Sequence, residues 1–367
     1  MKTKVCSLLV AVASFAGVEQ AAAQLPIISS FSQNGLLVCS NLAPNSLATV
    51  EWASSVAGPW QALVAVPATS NGTIIASVPM FYRVRGLVPS TNASPSGMAL
   101  IPAGAFTMGD TLDGMSDAVP TSVNVSAFYM DTNLVSKAQW DEVYTWAIAH
   151  GYAFDNAGSG KATNHPVQTI SWYDSVKWCN ARSEMDGRTP AYYTDAGLVT
   201  VYRSGQLSPY VNWTRGYRLP TEAEWEKAAR GGLSGQRFPW GNTISLSLAN
   251  FRNDGGESYQ TGPSGYNPAY ATGGEPYTSP VGSFAPNGYG LYDMAGNVWQ
   301  WCWDWIGTPY AGGSDPHGPA SGSRRVIRGG SWSYFAGVCR TAVRGLDDPT
   351  NRNVHLGFRS VLPPGQP

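Results

Sequence analysis

The sequence predicts an α+β domain with little regular secondary structure, preceded by a small all-β domain. Gly and Pro contribute 41 and 26 of the 367 residues and aromatic residues 12%, a mixture that favours irregular backbone held by large flat side chains. Four of the 14 tryptophans fall in one stretch, GYGLYDMAGNVWQWCWDW at 288–305. This stretch predicts a polar turn followed by an aromatic platform.

The overall charge excludes some partners. Charged residues are only 13% of the chain and the formal net charge is −1. There is therefore no basic surface to attract nucleic acid or an anionic membrane.

The first 23 residues resemble a signal peptide. Lys2 and Lys4 precede a small, apolar run at 5–18, and three alanines at 21–23 fit a cleavage site. The alternative is an anchor that stays in the membrane. The run is short for a membrane span and no other stretch is long enough, so we expect an exported protein, secreted or periplasmic.

Residues 24–90 predict a small β-sandwich-like domain. Short β-prone runs at 36–39, 48–52, 60–66, 72–78 and 81–84 alternate with turn residues. The segment 91–97 has the composition of a linker, a second domain spans 98–362, and 363–367 is a tail.

Three helices are predicted in the second domain. Ser136 to Gln139, Ser171 to Asp174 and Thr221 to Glu224 have the spacing of helix N-caps. The first helix should bury one face, which consists of Trp140, Val143, Tyr144, Ala147 and Ile148, and it should end near Gly151. Strands are predicted at 123–130, 298–303, 326–332 and 357–361.

Residues 233–290 have no regular pattern, and so long a loop requires bound cations or aromatic packing to hold it.

Seven motifs in order resemble one family. They are PAGAFTMGD (102–110), HPVQTISWYDSVKWCN (165–180), GYRLPTEAEWEKAARGG (216–232), FPWGN (238–242), NGYGLYDMAGNVWQWCWDW (287–305), VIRGGSW (326–332) and HLGFR (355–359). Together they resemble the formylglycine-generating enzyme, or sulfatase-modifying-factor, family. The resemblance implies an irregular variant of the C-type lectin fold with bound calcium.

The resemblance also implies a copper(I) site that this chain lacks in part. Catalytic members oxidise a sulfatase cysteine with O₂ and a copper(I) ion held by two cysteines, because soft copper(I) prefers thiolates. The matching positions are Tyr334 and Cys339, so one thiolate is missing and copper binding is not expected. If the chain is active, the resemblance assigns catalysis to Cys339, Ser331 and Arg344.

Two other interpretations of Cys339 remain open. His355, or less readily His317, could complete a metal site with it, or Cys339 could be a small buried hydrophobe. We expect Arg328, Arg340 and Arg359 to form buried salt bridges. Asp304 and Glu224 could form a carboxylate pair, although the sequence does not place them at a cleft.

The resemblance predicts calcium at two places. One site would use Asp293, the Gly296 and Val298 carbonyls, and Gln300, which replaces the usual glutamate. Carboxylate, amide and carbonyl oxygens suit Ca²⁺, but the lost charge should weaken binding. The other site maps onto Asn250 and Phe251, with Glu275 as a substitute acid. The alternative for the first loop is a tight turn held by Asp293 hydrogen bonds.

Two functions follow. The first is an exported, calcium-stabilised binding or scaffold module, with a protein or glycan ligand, for which a sulfatase is one candidate. The second is a metal-dependent oxidase that generates formylglycine on a sulfatase cysteine.

Overall fold

The computed structural model describes residues 27–31, 36–40, 47–52, 61–67, 74–77, 82–86 and 95–365. The predicted signal peptide at 1–23 and most of the predicted linker lie outside these ranges. By internal contacts the chain divides into two compact units, Met1–Thr91 and Asn92–Pro367.

The first unit contains six described strands in two antiparallel sheets of three. The sheet orders are β1-β2-β5 and β4-β3-β6. Each of the five β-prone runs overlaps a described strand, whereas β1 was not predicted. The strands are β1 Ile27–Phe31, β2 Leu36–Ser40, β3 Leu47–Trp52, β4 Gln61–Pro67, β5 Ile74–Ser77 and β6 Tyr82–Gly86.

The second unit combines short strands with three described helices, which confirms the predicted α+β class. Its sheets have the orders β18-β10-β7, β11-β12, β14-β9-β8 and β16-β15-β13-β17. The strands are β7 Met98–Ile101, β8 Gly104–Met108, β9 Thr121–Val125, β10 Phe128–Asp131, β11 Tyr192–Tyr193, β12 Tyr210–Val211, β13 Trp299–Trp305, β14 Gly313–Ser314, β15 Arg325–Arg328, β16 Gly345–Asp347, β17 Leu356–Gly357 and β18 Val361–Leu362.

The single strand predicted at 123–130 is in fact two strands, β9 and β10. The break falls at Ser126, whose backbone N–H and hydroxyl both donate to the Asp315 carboxylate, at 2.6 and 2.7 Å. Because these groups bond to a side chain 189 residues away, they are not available to a continuous β ladder.

The helices begin where the capping patterns predict. They are α1 Lys137–Ala149, α2 Trp172–Met185 and α3 Glu222–Arg230. Ser171 with Asp174, and Thr221 with Glu224, form complete capping boxes. The predicted inner face of α1 is wrong at one position, since Ile148 is 49% exposed.

Helix α3 connects the sheets through buried charges. Its Glu226 is fully buried and accepts from the Gly109 N–H at 2.7 Å and from Arg230 Nη2 at 2.6 Å. Arg328 of β15 donates to the other oxygen of Glu226. Since each charge has a partner, α3 is fixed against β15 and the end of β8 without an unpaired buried ion.

No helix or strand lies between residues 231 and 298, all of which are described. Asparagine side chains replace regular structure in this segment by bonding to backbone groups. Asn253 Nδ2 donates to the Pro263 carbonyl at 3.0 Å, Asn267 Nδ2 to the Leu246 carbonyl at 2.6 Å, and Asn287 Nδ2 to the Ala228 carbonyl at 2.7 Å. Aromatic packing, as predicted, adds to these bonds: Phe238 stacks on Trp240 at 5.9 Å.

Candidate functional site

A partly exposed apolar surface lies where β13 and β17 meet. The two strands pair in parallel, with Trp299 opposite Leu356, and the Trp299 N–H donates to the His355 carbonyl at 2.8 Å. The Tyr334 ring packs edge-on against Trp299 at 5.8 Å and against His355 at 5.3 Å. We call this surface the Tyr334 face; it consists of Trp299, Trp332, Tyr334, Phe335, Val354 and His355.

Three side chains of the Tyr334 face are open to solvent. Tyr334, Phe335 and Val354 are 37%, 39% and 39% exposed. Tyr334 packs edge-on against the buried Trp299. Trp332 is 2% exposed and its indole N–H donates to the Val354 carbonyl at 3.2 Å. A rigid aromatic base below exposed apolar groups is the arrangement typical of a binding surface.

Cys339 is buried beside this face and is poorly suited to chemistry. It lies at the end of a short 3₁₀ helix, Ala336–Cys339. Burial raises the pKa of its thiol to about 12, although N–H groups of Gly296 and Ser331 act in the opposite direction. A Cβ at Gly330 would lie 2.6 Å from Sγ, so the thiol is tightly packed. Without a bound metal ion the thiol is therefore protonated at neutral pH, and a copper(I) ion would have to displace that proton.

The two histidines considered as partners of Cys339 both pack on aromatic rings. Among the described residues, no group of three or more His, Cys, Asp and Glu side chains is placed to hold a metal ion. The His355 ring packs on Tyr334, and burial lowers its pKa. His317 stacks on Trp213 at 3.5 Å. The residues present therefore do not fit a two-thiolate copper site.

The other two predicted catalytic residues have structural partners. Ser331 is fully buried, with its hydroxyl 3.2 Å from that of Ser333. Arg344 makes a two-point ion pair with Glu222, at 2.8 and 2.6 Å, and donates to the Gly307 carbonyl at 2.6 Å. Arg344 thus lies at the N-terminus of α3, with contacts different from those of Cys339 and Ser331.

The first predicted calcium loop is closed by hydrogen bonds. Gln300 Oε1 accepts from the Trp225 indole N–H and from Arg359 Nε, both at 2.8 Å, and Gln300 Nε2 donates to the Asp293 carbonyl at 2.9 Å. Asp293 Oδ2 accepts from the Gly282 N–H at 2.8 Å. Gln300 does not fit a calcium ligand in this arrangement, because its oxygen already serves two donors and one of them is a cation.

The remaining ligands of that loop lie in the same turn. Gly296 and Asn297 follow Asp293 closely, and the Gly296 N–H donates to the Gly329 carbonyl at 2.7 Å. Val298 is buried immediately before β13. Burial raises the pKa of Asp293. These contacts agree with the alternative of a hydrogen-bonded turn, and calcium at this loop stays a prediction.

The second predicted calcium site lies in the irregular segment after α3. Asn250 is 2% exposed, and its Nδ2 donates to the Tyr277 carbonyl at 2.8 Å. Phe251 follows it in the chain, and Glu275 stands two residues before Tyr277. An amide oxygen, two carbonyls and an acid are ligands that Ca²⁺ accepts.

Sequence reasoning also missed two members of the Tyr334 face. Phe335 and Val354 carry no motif. The signal that could have found Phe335 is an apolar pair, Tyr334 and Phe335, following a Gly and Ser turn. Arg359 was expected in a salt bridge, and this expectation is wrong: it bonds to the Gln300 amide and to backbone carbonyls, including that of Tyr292 at 2.6 Å.

The fold and the motif-bearing loops define a domain of the sulfatase-modifying-factor type. A family model described as "Sulfatase-modifying factor enzyme 1-like domain" matches residues 84–363. The chain belongs to this family.

Individual relatives carry several names. The chain is 34% identical over 298 residues to a formylglycine-generating enzyme of Thermomonospora curvata, covering 73% of this chain and 94% of that one. It is 31% identical over 272 residues to the chaperone protein LppX of Paenibacillus barcinonensis, covering 72% and 88%. Among solved structures, Treponema denticola variable protein 1 matches with a TM-score of 0.57 and 30% identity, covering 73% and 95%.

Proposed function

We propose that this protein is an exported binding module of the sulfatase-modifying-factor family that uses the Tyr334 face to hold a protein ligand. The observation that carries the proposal is the contrast within one site. Cys339 is buried and the pKa of its thiol is raised, while Tyr334, Phe335 and Val354 are exposed, with Tyr334 packed against the buried Trp299.

The chemistry of the face favours a protein ligand over a glycan. Its rings meet edge-on, at 82° and 76°, so they do not present one flat stack for sugar rings. Small apolar clusters on a rigid base are typical centres of protein interfaces. A relative named as a chaperone supports a role other than oxidation for this kind of domain. A sulfatase remains a candidate partner, because another relative is named for forming formylglycine.

Export rests on the N-terminal segment. Its basic start, apolar run and alanine-rich end are typical of a signal peptide. None of the described helices is both long and apolar enough to cross a membrane. N-terminal sequencing of the secreted protein would test export, with Gln24 expected as the first residue.

The binding proposal can be tested by peptide display on the purified protein. The library should include a sulfatase-type Cys-x-Pro-x-Arg peptide, and a glycan array should be run in parallel. Peptides enriched on the natural protein should lose at least tenfold in affinity for the double variant Tyr334→Ser, Phe335→Ser. The matched control is Val199→Ser, Tyr210→Ser, which removes two apolar groups that are 80% and 51% exposed elsewhere. Equal binding to both variants, or glycan binding without peptide binding, would reject the proposal.

Calcium is proposed as a structural ion at the Asn250 site. Asn250, Phe251, the Tyr277 carbonyl and Glu275 would hold it, and it would stabilise the segment around Asn250. Added Ca²⁺ should raise the Tm of the natural protein and have a smaller effect on Glu275→Gln. The control is Glu142→Gln, on helix α1. The same calcium effect in all three proteins would show that calcium does not use this site.

The oxidase alternative depends on family membership alone. A relative at 34% identity is named formylglycine-generating enzyme. Two observations oppose the oxidase alternative. Position 334 is a tyrosine, and Cys339 packs against Gly330.

A further inference from the structure

A concave site lies at the N-terminus of α3, apart from the Tyr334 face, with which it shares no lining residue. It is a cleft of about 200 Å³. Its apolar wall includes Trp305, Pro309, Tyr310 and Pro319. Pockets for drug-sized ligands measure roughly 300–1,000 Å³, so this cleft suits a small group.

Two of the three charged side chains in the cleft are already paired. The Glu222 carboxylate accepts from Arg344 Nε at 2.8 Å and from Arg344 Nη2 at 2.6 Å. The remaining Arg344 nitrogen, Nη1, donates to the Gly307 carbonyl at 2.6 Å and to the Asp117 carbonyl at 3.3 Å. An anionic ligand would therefore find no free guanidinium donor, and it would face the carboxyl groups of Glu222 and Asp304.

The third charged side chain, Asp304, has an uncommitted oxygen. It is 4% exposed, and Oδ2 accepts from the Glu222 N–H at 2.7 Å. Among the described residues, Oδ1 has no hydrogen-bond partner and the carboxyl has no ion pair within 4.0 Å. Gly318 of the cleft wall stands against it, since a Cβ there would lie 2.9 Å from Oδ1. A side chain at that position would fill the space beside Asp304.

We propose that this cleft binds an aliphatic ammonium group, from a free amine or a lysine side chain, with Asp304 as its counter-ion. The alkyl part packs on the proline and aromatic wall, and the ammonium donates to Oδ1. This site goes beyond the proposed function of the Tyr334 face, and neither depends on the other.

Binding of the ammonium group should release a proton from the Asp304 carboxyl. The charged groups around Asp304 are Glu222 and Glu224 of α3, Arg325 of β15 and Arg344; His317, beside Gly318, has its pKa lowered by burial. Burial, followed by the charge of Glu222, raises the pKa of Asp304 to about 8. An ammonium ion binds the ionised form and displaces the proton, so affinity should rise with pH by about tenfold between pH 7 and pH 9.

The experiment is isothermal titration with n-butylammonium chloride at pH 7 and pH 9 and constant ionic strength. Butyramide and butyrate are the neutral and anionic probes of the same length. The variants are Asp304→Asn, which keeps an acceptor for the Glu222 N–H, and Ala311→Trp, which fills the cleft from an exposed position. The matched control is Asp254→Asn, an exposed aspartate outside the cleft.

We expect saturable butylammonium binding, tighter at pH 9, that falls at least tenfold in Asp304→Asn and Ala311→Trp and is unchanged in Asp254→Asn. A capped lysine that binds as well as n-butylammonium would identify a protein side chain as the source, and weaker binding would identify a free amine. No saturable binding at either pH, affinity that falls with pH, a preference for butyramide, or full binding by Asp304→Asn would overturn the proposal. If Asp304→Asn does not fold, the pH series and the Ala311→Trp variant test the proposal in its place.

Discussion

At the scale of single residues, Gln300 organises the polar core behind the Tyr334 face. Its amide joins α3 through Trp225, the C-terminal segment through Arg359, and the preceding turn through the Asp293 carbonyl. The sequence marks this position only as a glutamine where the resemblance implies an acid. Its partners are 75 and 59 residues away, so no local pattern could identify them.

Replacing Gln300 with leucine should destabilise the domain by about 3–5 kcal/mol. The Trp225 N–H and the buried Arg359 guanidinium would each lose an acceptor, and an unpaired buried donor costs roughly 1–3 kcal/mol, more for a charged group. Urea unfolding would measure the loss, with Gln206→Leu, an exposed site, as the control within about 0.5 kcal/mol. A loss below 1 kcal/mol would mean that these bonds are absent in solution.

Asp304 should give the domain an unusual pH dependence. Its folded pKa of about 8 lies above the unfolded value of about 3.9, so the folded state holds an extra proton between these values. Stability from this group is complete below about pH 4 and falls as pH rises towards 8. Asp304→Asn has no such proton to lose. Between pH 5 and pH 9 its free energy of unfolding should therefore rise by up to about 4 kcal/mol relative to that of the natural protein.

The measurement is urea unfolding of both proteins across that pH range. Asp254→Asn is the control, because the pKa of that carboxyl is lowered and its contribution should be constant above pH 5. A constant difference between Asp304→Asn and the natural protein would show that Asp304 is ionised in the fold at neutral pH.

At the scale of elements, the sequence predicted those features that depend only on neighbouring residues. The N-caps at Ser136, Ser171 and Thr221 are formed within four residues, and all three helix starts were predicted from sequence, although the capping box predicted at Ser136 is only half formed. The burial of Ile148 was predicted incorrectly, because periodicity shows which side chains share a helix face but not whether another element covers them. The break between β9 and β10 depends on Asp315, which is distant in sequence.

The long irregular segment after α3 should depend on its asparagines. Asn253 Nδ2 bonds to the Pro263 carbonyl, and Asn253 Oδ1 accepts from the Gly255 N–H at 3.1 Å. In Asn253→Ala these backbone groups lose their partners, so amide exchange in residues 253–265 should become faster and stability should fall by about 1–3 kcal/mol.

Hydrogen exchange with mass spectrometry would locate the effect, with Asn164→Ala, an exposed site, as the control. Unchanged exchange in 253–265 would show that aromatic packing alone holds this segment.

At the scale of the whole molecule, family membership and α+β class were predictable from seven ordered motifs, and the fold confirms them. The character of the candidate site was predictable only in part. The missing thiol at Tyr334 was visible in sequence, whereas the burial of Cys339 and the exposure of Phe335 and Val354 depend on three-dimensional packing.

The most direct test of the central claim is a copper(I) titration combined with mass spectrometry of a Cys-x-Pro-x-Arg peptide incubated with the protein, copper(I) and O₂. The natural protein and Cys339→Ala should behave alike, with no stoichiometric copper binding and no formylglycine product, because the one thiol at this site is packed and protonated. Stoichiometric copper binding that Cys339→Ala abolishes, together with oxidation of the peptide, would contradict a binding module and establish an oxidase.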